Sequence, residues 1–211
     1  MAASDIPSLI AEYRLLPVIA LDDAAHALPL GEALISGGLP VAEVTFRTDA
    51  AAESIRVMSE IEGLLVGAGT VVKPDQVDAA RDAGASFLVS PGTSPAVVER
   101  ASELGLPIFP GVATPSDIQL ALSLGLDTLK FFPAEAMGGL KTLKALAAPF
   151  PQVSFVPTGG IGPSNVSSYL AMPFVHACGG SWMVSPKLYI NGDFNPVIES
   201  VGKAVNLAIE L

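Results

Sequence analysis

Lys130 is the residue whose setting most suggests chemistry. It sits alone inside the apolar run Thr128–Phe132, which has strand length and is bounded by turn-forming residues. Lysine is seldom fully buried unless something uses it. Burial disfavours the ammonium form and so favours the free amine, the form that Schiff-base chemistry on a carbonyl requires. The plainer alternative is a strand-end lysine whose ammonium reaches back to water. A second group lies in Val41-Ala42-Glu43-Val44-Thr45-Phe46-Arg47. Side chains two apart share a face of a strand, so Glu43, Thr45 and Arg47 point one way and Val44 and Phe46 the other. If the apolar pair packs on helices, Glu43 faces the same interior as Lys130. A merely structural Glu43–Arg47 ion pair is the alternative.

Small residues surround these groups. Gly67-Ala68-Gly69-Thr70 lets a ligand approach the backbone and ends in a hydroxyl. Ser90-Pro91-Gly92 and Pro110-Gly111-Val112-Ala113-Thr114 end two further runs. Two glycine pairs, Gly159-Gly160 and Gly179-Gly180, the second followed by Ser181, expose backbone N–H groups of the kind that bind anions. Tight turns are the other use of such glycines.

Other chemistries find less support. The histidines are His26 and His176 and the single cysteine is Cys178, so no His or carboxylate cluster at metal-ligand spacing is apparent. Neither a metal nor a cofactor is therefore expected. His176 and Cys178 lie two apart in one apolar run, which invites a thiol–imidazole pair; a buried structural cysteine is the default. No G-x-S-x-G or G-x-x-x-x-G-K-[ST] occurs.

The net charge of −10 argues against nucleic acid and anionic membrane as partners. An anionic ligand would have to be held by local dipoles and a few cations. With 50% apolar and 15% charged residues, the 211-residue chain describes a large core rather than a disordered segment. No apolar run approaches the roughly 18 residues of a membrane span. Met1–Tyr13 carries Asp5 and Glu12 and has no basic region followed by an apolar one, so no signal peptide is expected. One cysteine suits a reducing compartment.

The elements that must carry these residues follow one pattern. A helical segment ends in Gly38, Gly63, Gly84, Gly105 or Gly125, spaced 20 to 25 residues apart, and a short β-rich run follows. The runs are Leu16–Leu21, Val41–Phe46, Leu64–Ala68, Phe87–Ser90, Ile108–Val112, Thr128–Phe132, Val153–Pro157 and Phe174–Cys178. They are mostly apolar, as strands buried on both faces of a parallel sheet are. Helices read over Asp23–Ser36, Ala50–Ile61, Pro74–Asp82, Pro95–Glu103, Pro115–Leu124, Leu140–Ala147, Pro163–Leu170 and Asn195–Glu210, four opening on proline. Eight alternations predict a single α/β domain, a (β/α)8 TIM barrel with a short N-terminal helix. A doubly wound open sheet is the alternative, with only the first half of a G-x-G-x-x-G present at Gly67 and Gly69. In a barrel the site lies at the C-terminal ends of the strands, and the loops after the seventh and eighth often bind phosphate.

The blocks Val44-Thr45-Phe46-Arg47-Thr48, Val66-Gly67-Ala68-Gly69-Thr70-Val71, Ser90-Pro91-Gly92, Lys130-Phe131-Phe132-Pro133-Ala134-Glu135, Pro157-Thr158-Gly159-Gly160-Ile161 and Gly179-Gly180-Ser181-Trp182 resemble the 2-keto-3-deoxy-6-phosphogluconate aldolase family in order and spacing, from about Leu15 to the end. The resemblance implies a metal-independent, Schiff-base (β/α)8 barrel, usually a cytoplasmic homotrimer. It implies that Lys130 forms the Schiff base and that Glu43 is the general acid/base, partly through a water. Arg47 and Thr70 would hold the pyruvyl carboxylate, and Pro91 and Phe132 would line its pocket. Gly159, Gly160, Gly180 and Ser181 would bind the phosphate of a phosphorylated keto acid, and Thr158 would contact the aldehyde half. Met137 departs from the family, which often has a polar residue before that Gly-Gly. The activities left open are cleavage of the phosphogluconate, cleavage of 4-hydroxy-2-oxoglutarate, a phosphate-binding isomerase or decarboxylase, and a non-catalytic binding barrel.

Overall fold

The computed structural model describes residues 6–209. After α1 (Ile6–Tyr13), strands and helices alternate: β1 (Leu15–Ile19), α2 (Ala27–Ser36), β2 (Val41–Thr45), α3 (Ala51–Ser59), β3 (Leu65–Gly69), α4 (Pro74–Asp82), β4 (Phe87–Val89) and α5 (Pro95–Glu103). There follow β5 (Ile108–Phe109), β6 (Gly111–Val112), α6 (Pro115–Ser123), β7 (Thr128–Phe131), α7 (Gly139–Ala147), β8 (Ser154–Pro157), α8 (Val166–Leu170), β9 (Cys178–Gly180) and α9 (Asn195–Ile209). The expected last helix included Glu210, which lies outside the described residues. One parallel sheet runs β5-β4-β3-β2-β1-β9 and a second runs β6-β7-β8. Parallel bridges Phe155–Val175 and Thr158–Gly179 link β8 to the segment that ends in β9. The result is an α/β fold with parallel sheets, and β2 and β3 are buried at every position.

Local chemistry accounts for most boundaries. All five helix-ending glycines have φ between +67° and +90°, the left-handed cap for which glycine has no side chain to strain. Pro74, Pro95 and Pro115 open their helices, where a missing N–H costs no bond. Thr114 and Asp117 form a reciprocal capping box on α6. No helix among the described residues is long and apolar enough to cross a membrane.

Three expectations change. The run Ile108–Val112 is not one strand. Pro110 has no N–H for the ladder and divides it into β5, which pairs with β4, and β6, which pairs with β7. The last run does not begin at Phe174. Val175 bridges only Phe155, and the chain then crosses to β1, where the Cys178 amide donates to the Arg14 carbonyl at 2.8 Å. The ladder therefore covers Cys178–Gly180, and the second glycine pair lies inside a strand rather than in a turn. Pro163 does not open α8 either. It falls in a turn, and the helix begins three residues later at Val166.

Candidate active site

The two residues that alternation sent inward meet. Lys130 on β7 and Glu43 on β2 are 6% and 0% exposed, and Lys130 Nζ donates to Glu43 Oε1 at 3.2 Å. Leu129 and Phe131, on the other face of β7, are fully buried in the core. The ammonium also lies 5.4 Å from the centre of the Phe132 ring. The second carboxylate oxygen, Glu43 Oε2, is buried without a protein partner. A buried, hydrogen-bonded charge pair with one free acceptor is a costly arrangement unless a substrate or its proton completes it.

Two neighbours make this geometry possible: Gly69, which the sequence suggested as room for a ligand, and Thr45, placed from the sequence only as a strand-mate of Glu43. Gly69 leaves the space that the Glu43 side chain fills: a β-carbon there would lie 2.7 Å from Glu43 Cγ, well inside van der Waals contact. Thr45 accepts from Arg47 Nε at 3.0 Å while its own hydroxyl donates to the Ile19 carbonyl at 2.7 Å. The face shared by Glu43, Thr45 and Arg47 is therefore an ordered row, not a Glu43–Arg47 ion pair. Spacing puts Thr45 and Arg47 on one face, but nothing in it signals the contacts with Gly69 and Ile19, which lie on neighbouring strands.

Thr70 follows Gly69 with φ +57°, a left-handed backbone that a β-branched residue seldom adopts. Such a residue carries about 1–3 kcal/mol of strain. The flanking bonds hold it there: Phe46 donates to the Gly69 carbonyl at 2.8 Å and Val71 to the Val89 carbonyl at 3.2 Å. Pro91 packs against Gly111, the residue paired with Lys130, so closely that a β-carbon on Gly111 would strike the Pro91 carbonyl.

Seven of the expected site residues converge on a cavity of about 150 Å³: Arg47, Phe132, Thr158, Gly159, Gly160, Gly180 and Ser181. Val18, Ile161 and Gly179 complete its wall. Lys130, Glu43, Thr70 and Pro91 do not line it: Lys130 meets its wall through Phe132, and Thr70 and Pro91 border the Lys130–Glu43 pair through Gly69 and Gly111. The two glycine pairs serve different ends. Gly159 and Gly160 have φ +101° and +78°, so their backbone requires glycine. Gly179 and Gly180 need no such angle. A β-carbon on Gly179 would collide with Thr158, and one on Gly180 with the Trp182 ring.

Met137, set apart in the sequence as a departure from the resembled pattern, is exposed beside Gly138 and Gly139 and takes no part in the cavity. His176 and Cys178 do not form a pair. The His176 Nε2 lies 2.9 Å from the Ser154 hydroxyl, while burial pushes the Cys178 thiol well above its usual range, keeping it protonated and unreactive. Among the described residues, no group of three or more His, Cys, Asp and Glu side chains is placed to hold a metal ion.

A family model described as "Aldolase: KDPG and KHG aldolase" matches residues 6–200. The 2-dehydro-3-deoxy-phosphogluconate aldolase of Haemophilus influenzae is 45% identical over 201 residues, covering 95% of this chain and 93% of that protein. The crystal structure of the 2-keto-3-deoxy-6-phosphogluconate aldolase of Zymomonas mobilis with 3-phosphoglycerate superposes with a TM-score of 0.91 at 42% identity, covering 98% of this chain and 97% of that one. The KDPG aldolase of Legionella pneumophila, with pyruvate captured as a covalent carbinolamine intermediate, has a TM-score of 0.90 at 39% identity, over 94% of this chain and 97% of that one.

Proposed function

The chain belongs to the KDPG and KHG aldolase family, and on that premise we propose that it cleaves 2-keto-3-deoxy-6-phosphogluconate to pyruvate and glyceraldehyde 3-phosphate through a Schiff base on Lys130. The observation that carries the reading is the buried Lys130–Glu43 pair at 3.2 Å, with Lys130 against the Phe132 ring, beside a cavity walled by Phe132, Arg47 and both glycine pairs. The relatives support both halves: one holds pyruvate as a covalent carbinolamine, another was crystallised with 3-phosphoglycerate.

In this mechanism the Lys130 amine adds to the C2 carbonyl and loses water to give an iminium. The iminium draws electrons from C3 while Glu43, directly or through a water, removes the proton of the C4 hydroxyl. The C3–C4 bond breaks, the aldehyde leaves, the enamine takes a proton at C3, and water releases pyruvate and the free amine. Arg47 and Thr70 hold the carboxylate of the pyruvyl half. Pro91 and Phe132 enclose it. Thr158 contacts the aldehyde half, and Gly159, Gly160, Gly180 and Ser181 hold the phosphate. Cleavage of 4-hydroxy-2-oxoglutarate to pyruvate and glyoxylate, the other activity in the family's name, uses the same groups without the phosphate contacts.

We further propose that β5 and β6 act as one strand interrupted at Pro110 and that the sheets close as a (β/α)8 barrel, a single domain. The pairing Thr158–Gly179 between its last two strands supports this. The same reading carries a cytoplasmic homotrimer with no cofactor.

Borohydride reduction in the presence of pyruvate tests the chemistry. A mass increase on the Lys130 peptide is expected. An unmodified Lys130, with pyruvate bound or trapped elsewhere, would overturn the assignment.

The phosphate end needs its own test, and Gly180 is the wrong residue for it. A side chain there would strike Trp182 and disturb packing first. Ser181 is exposed at the cavity wall, so Ser181→Glu adds a carboxylate without filling a buried space. It should raise KM for the phosphorylated substrate by at least about tenfold, equivalent to about 1.4 kcal/mol. The effect on 4-hydroxy-2-oxoglutarate, which ends one carbon earlier without a phosphate, should be several-fold smaller. Equal effects on both substrates would remove Ser181 from the phosphate site.

A further inference from the structure

Asn165 occupies the residue before α8, where an asparagine ordinarily turns its side chain forward onto the free N–H groups of the helix. Here it makes no such bond. Its side chain turns back onto the preceding loop, accepting from the Gly162 amide at 2.8 Å and donating to the Gly160 carbonyl at 3.1 Å. The two carbonyls before that one are held as well. Thr158 O accepts from the Ala134 amide at 2.8 Å and Gly159 O from the Glu135 amide at 3.0 Å. Three consecutive carbonyls are thus tied down by protein donors.

In a trans peptide the C=O and the following N–H point in opposite directions. Holding the carbonyls of Thr158, Gly159 and Gly160 therefore turns the N–H groups of Gly159, Gly160 and Ile161 the other way. Those three residues line the cavity, and among the described residues none of the three amides has a protein acceptor. The arrangement needs anchors because both glycines sit at positive φ, where the backbone is free to rotate. A flipped Gly160–Ile161 peptide would turn an oxygen, not an N–H, toward an anion.

We infer that Asn165 is a positioning residue for the phosphate end of the substrate: it holds the Gly160–Ile161 peptide so that the Ile161 N–H joins those of Gly159 and Gly160 in facing the bound anion. This rests on the proposed aldolase reading and adds a third amide, that of Ile161, to the phosphate site. Of the three anchors it is the only one made by a side chain, so it is the one a substitution can remove.

The test compares Asn165→Ala with wild type in two measurements. Calorimetric titration with inorganic phosphate should show binding weakened by about tenfold, the size expected for releasing one such hydrogen-bonded anchor. In parallel, KM for the phosphorylated substrate should rise by about the same factor, with kcat and the kcat/KM for 4-hydroxy-2-oxoglutarate within about twofold of wild type. A merely structural role would lower the melting temperature and both activities together. If Asn165→Ala does not fold by circular dichroism, Asn165→Ser keeps a hydroxyl at the helix start but cannot span both loop bonds, and the same shifts are expected of it. Unchanged phosphate affinity in a folded variant overturns the inference. Wild-type protein that binds phosphate but cleaves neither substrate overturns the aldolase reading instead, and the titration still decides the role of Asn165.

Discussion

Lys130→Arg should lower aldol cleavage to below about a hundredth of the wild-type rate, the scale expected when covalent catalysis is lost. Arginine is chosen because of what surrounds the amine. Lys130 is 6% exposed and faces Glu43, which is fully buried. Truncation to alanine or exchange for methionine would leave a buried carboxylate without its counter-charge. That typically costs about 3–5 kcal/mol and would confuse loss of folding with loss of chemistry. Arginine keeps the charge and can still donate to Glu43, but it does not deprotonate and cannot form an imine. Pyruvate release measured at saturating substrate, alongside circular dichroism and thermal melting, separates the outcomes. A folded Lys130→Arg protein that keeps more than about a hundredth of its activity would remove Lys130 as the nucleophile. Loss of borohydride trapping in the same variant should accompany the loss of rate.

Glu43→Gln should reduce kcat by about 100- to 10,000-fold, the usual contribution of a positioned general acid/base. Glutamine is nearly the same size, so it fits the space that Gly69 leaves, and its amide oxygen can still accept from Lys130. The free Oε2, which has no protein partner, is the atom the substitution takes away as a base. The effect should fall on kcat and hardly on KM, because Arg47 is held by Thr45 and not by Glu43. Pyruvate should still be trapped on Lys130 by borohydride, though more slowly. If KM rises while kcat holds, Glu43 serves binding rather than proton transfer. If trapping vanishes while the fold persists, its task is to position the amine rather than to move the substrate's proton.

That Lys130 and Glu43 face inward was legible in the sequence for a simple reason. Strand alternation is a property of adjacent residues, so Thr128–Phe132 and Val41–Arg47 by themselves turn Lys130 and Glu43 away from the core-facing Leu129, Phe131 and Val44. The helix ends were legible for the same reason, since a left-handed cap depends on glycine at one position. Pro74, Pro95 and Pro115 likewise start their helices by local geometry.

Where the chain bonds to something far along the sequence, the tertiary structure decided. Residues 43 and 130 are brought to 3.2 Å across 87 positions by the folded strands, a distance no local rule contains. Pro110 divides a strand because its two halves have different neighbours, β4 and β7. The final strand starts at Cys178 rather than Phe174 because its ladder with β1 begins only there, the earlier residues having a single bridge to Phe155. Gly69 and Gly180 are small for the sake of Glu43 and Trp182, and Thr45 matters because Arg47 leans on it. Asn165 falls inside the helix that the sequence starts at Pro163, yet the fold starts the helix after it and turns its side chain back onto the loop it follows. Types and local angles are written residue by residue; which groups meet, and at what distance, depends on strands closing against one another through space.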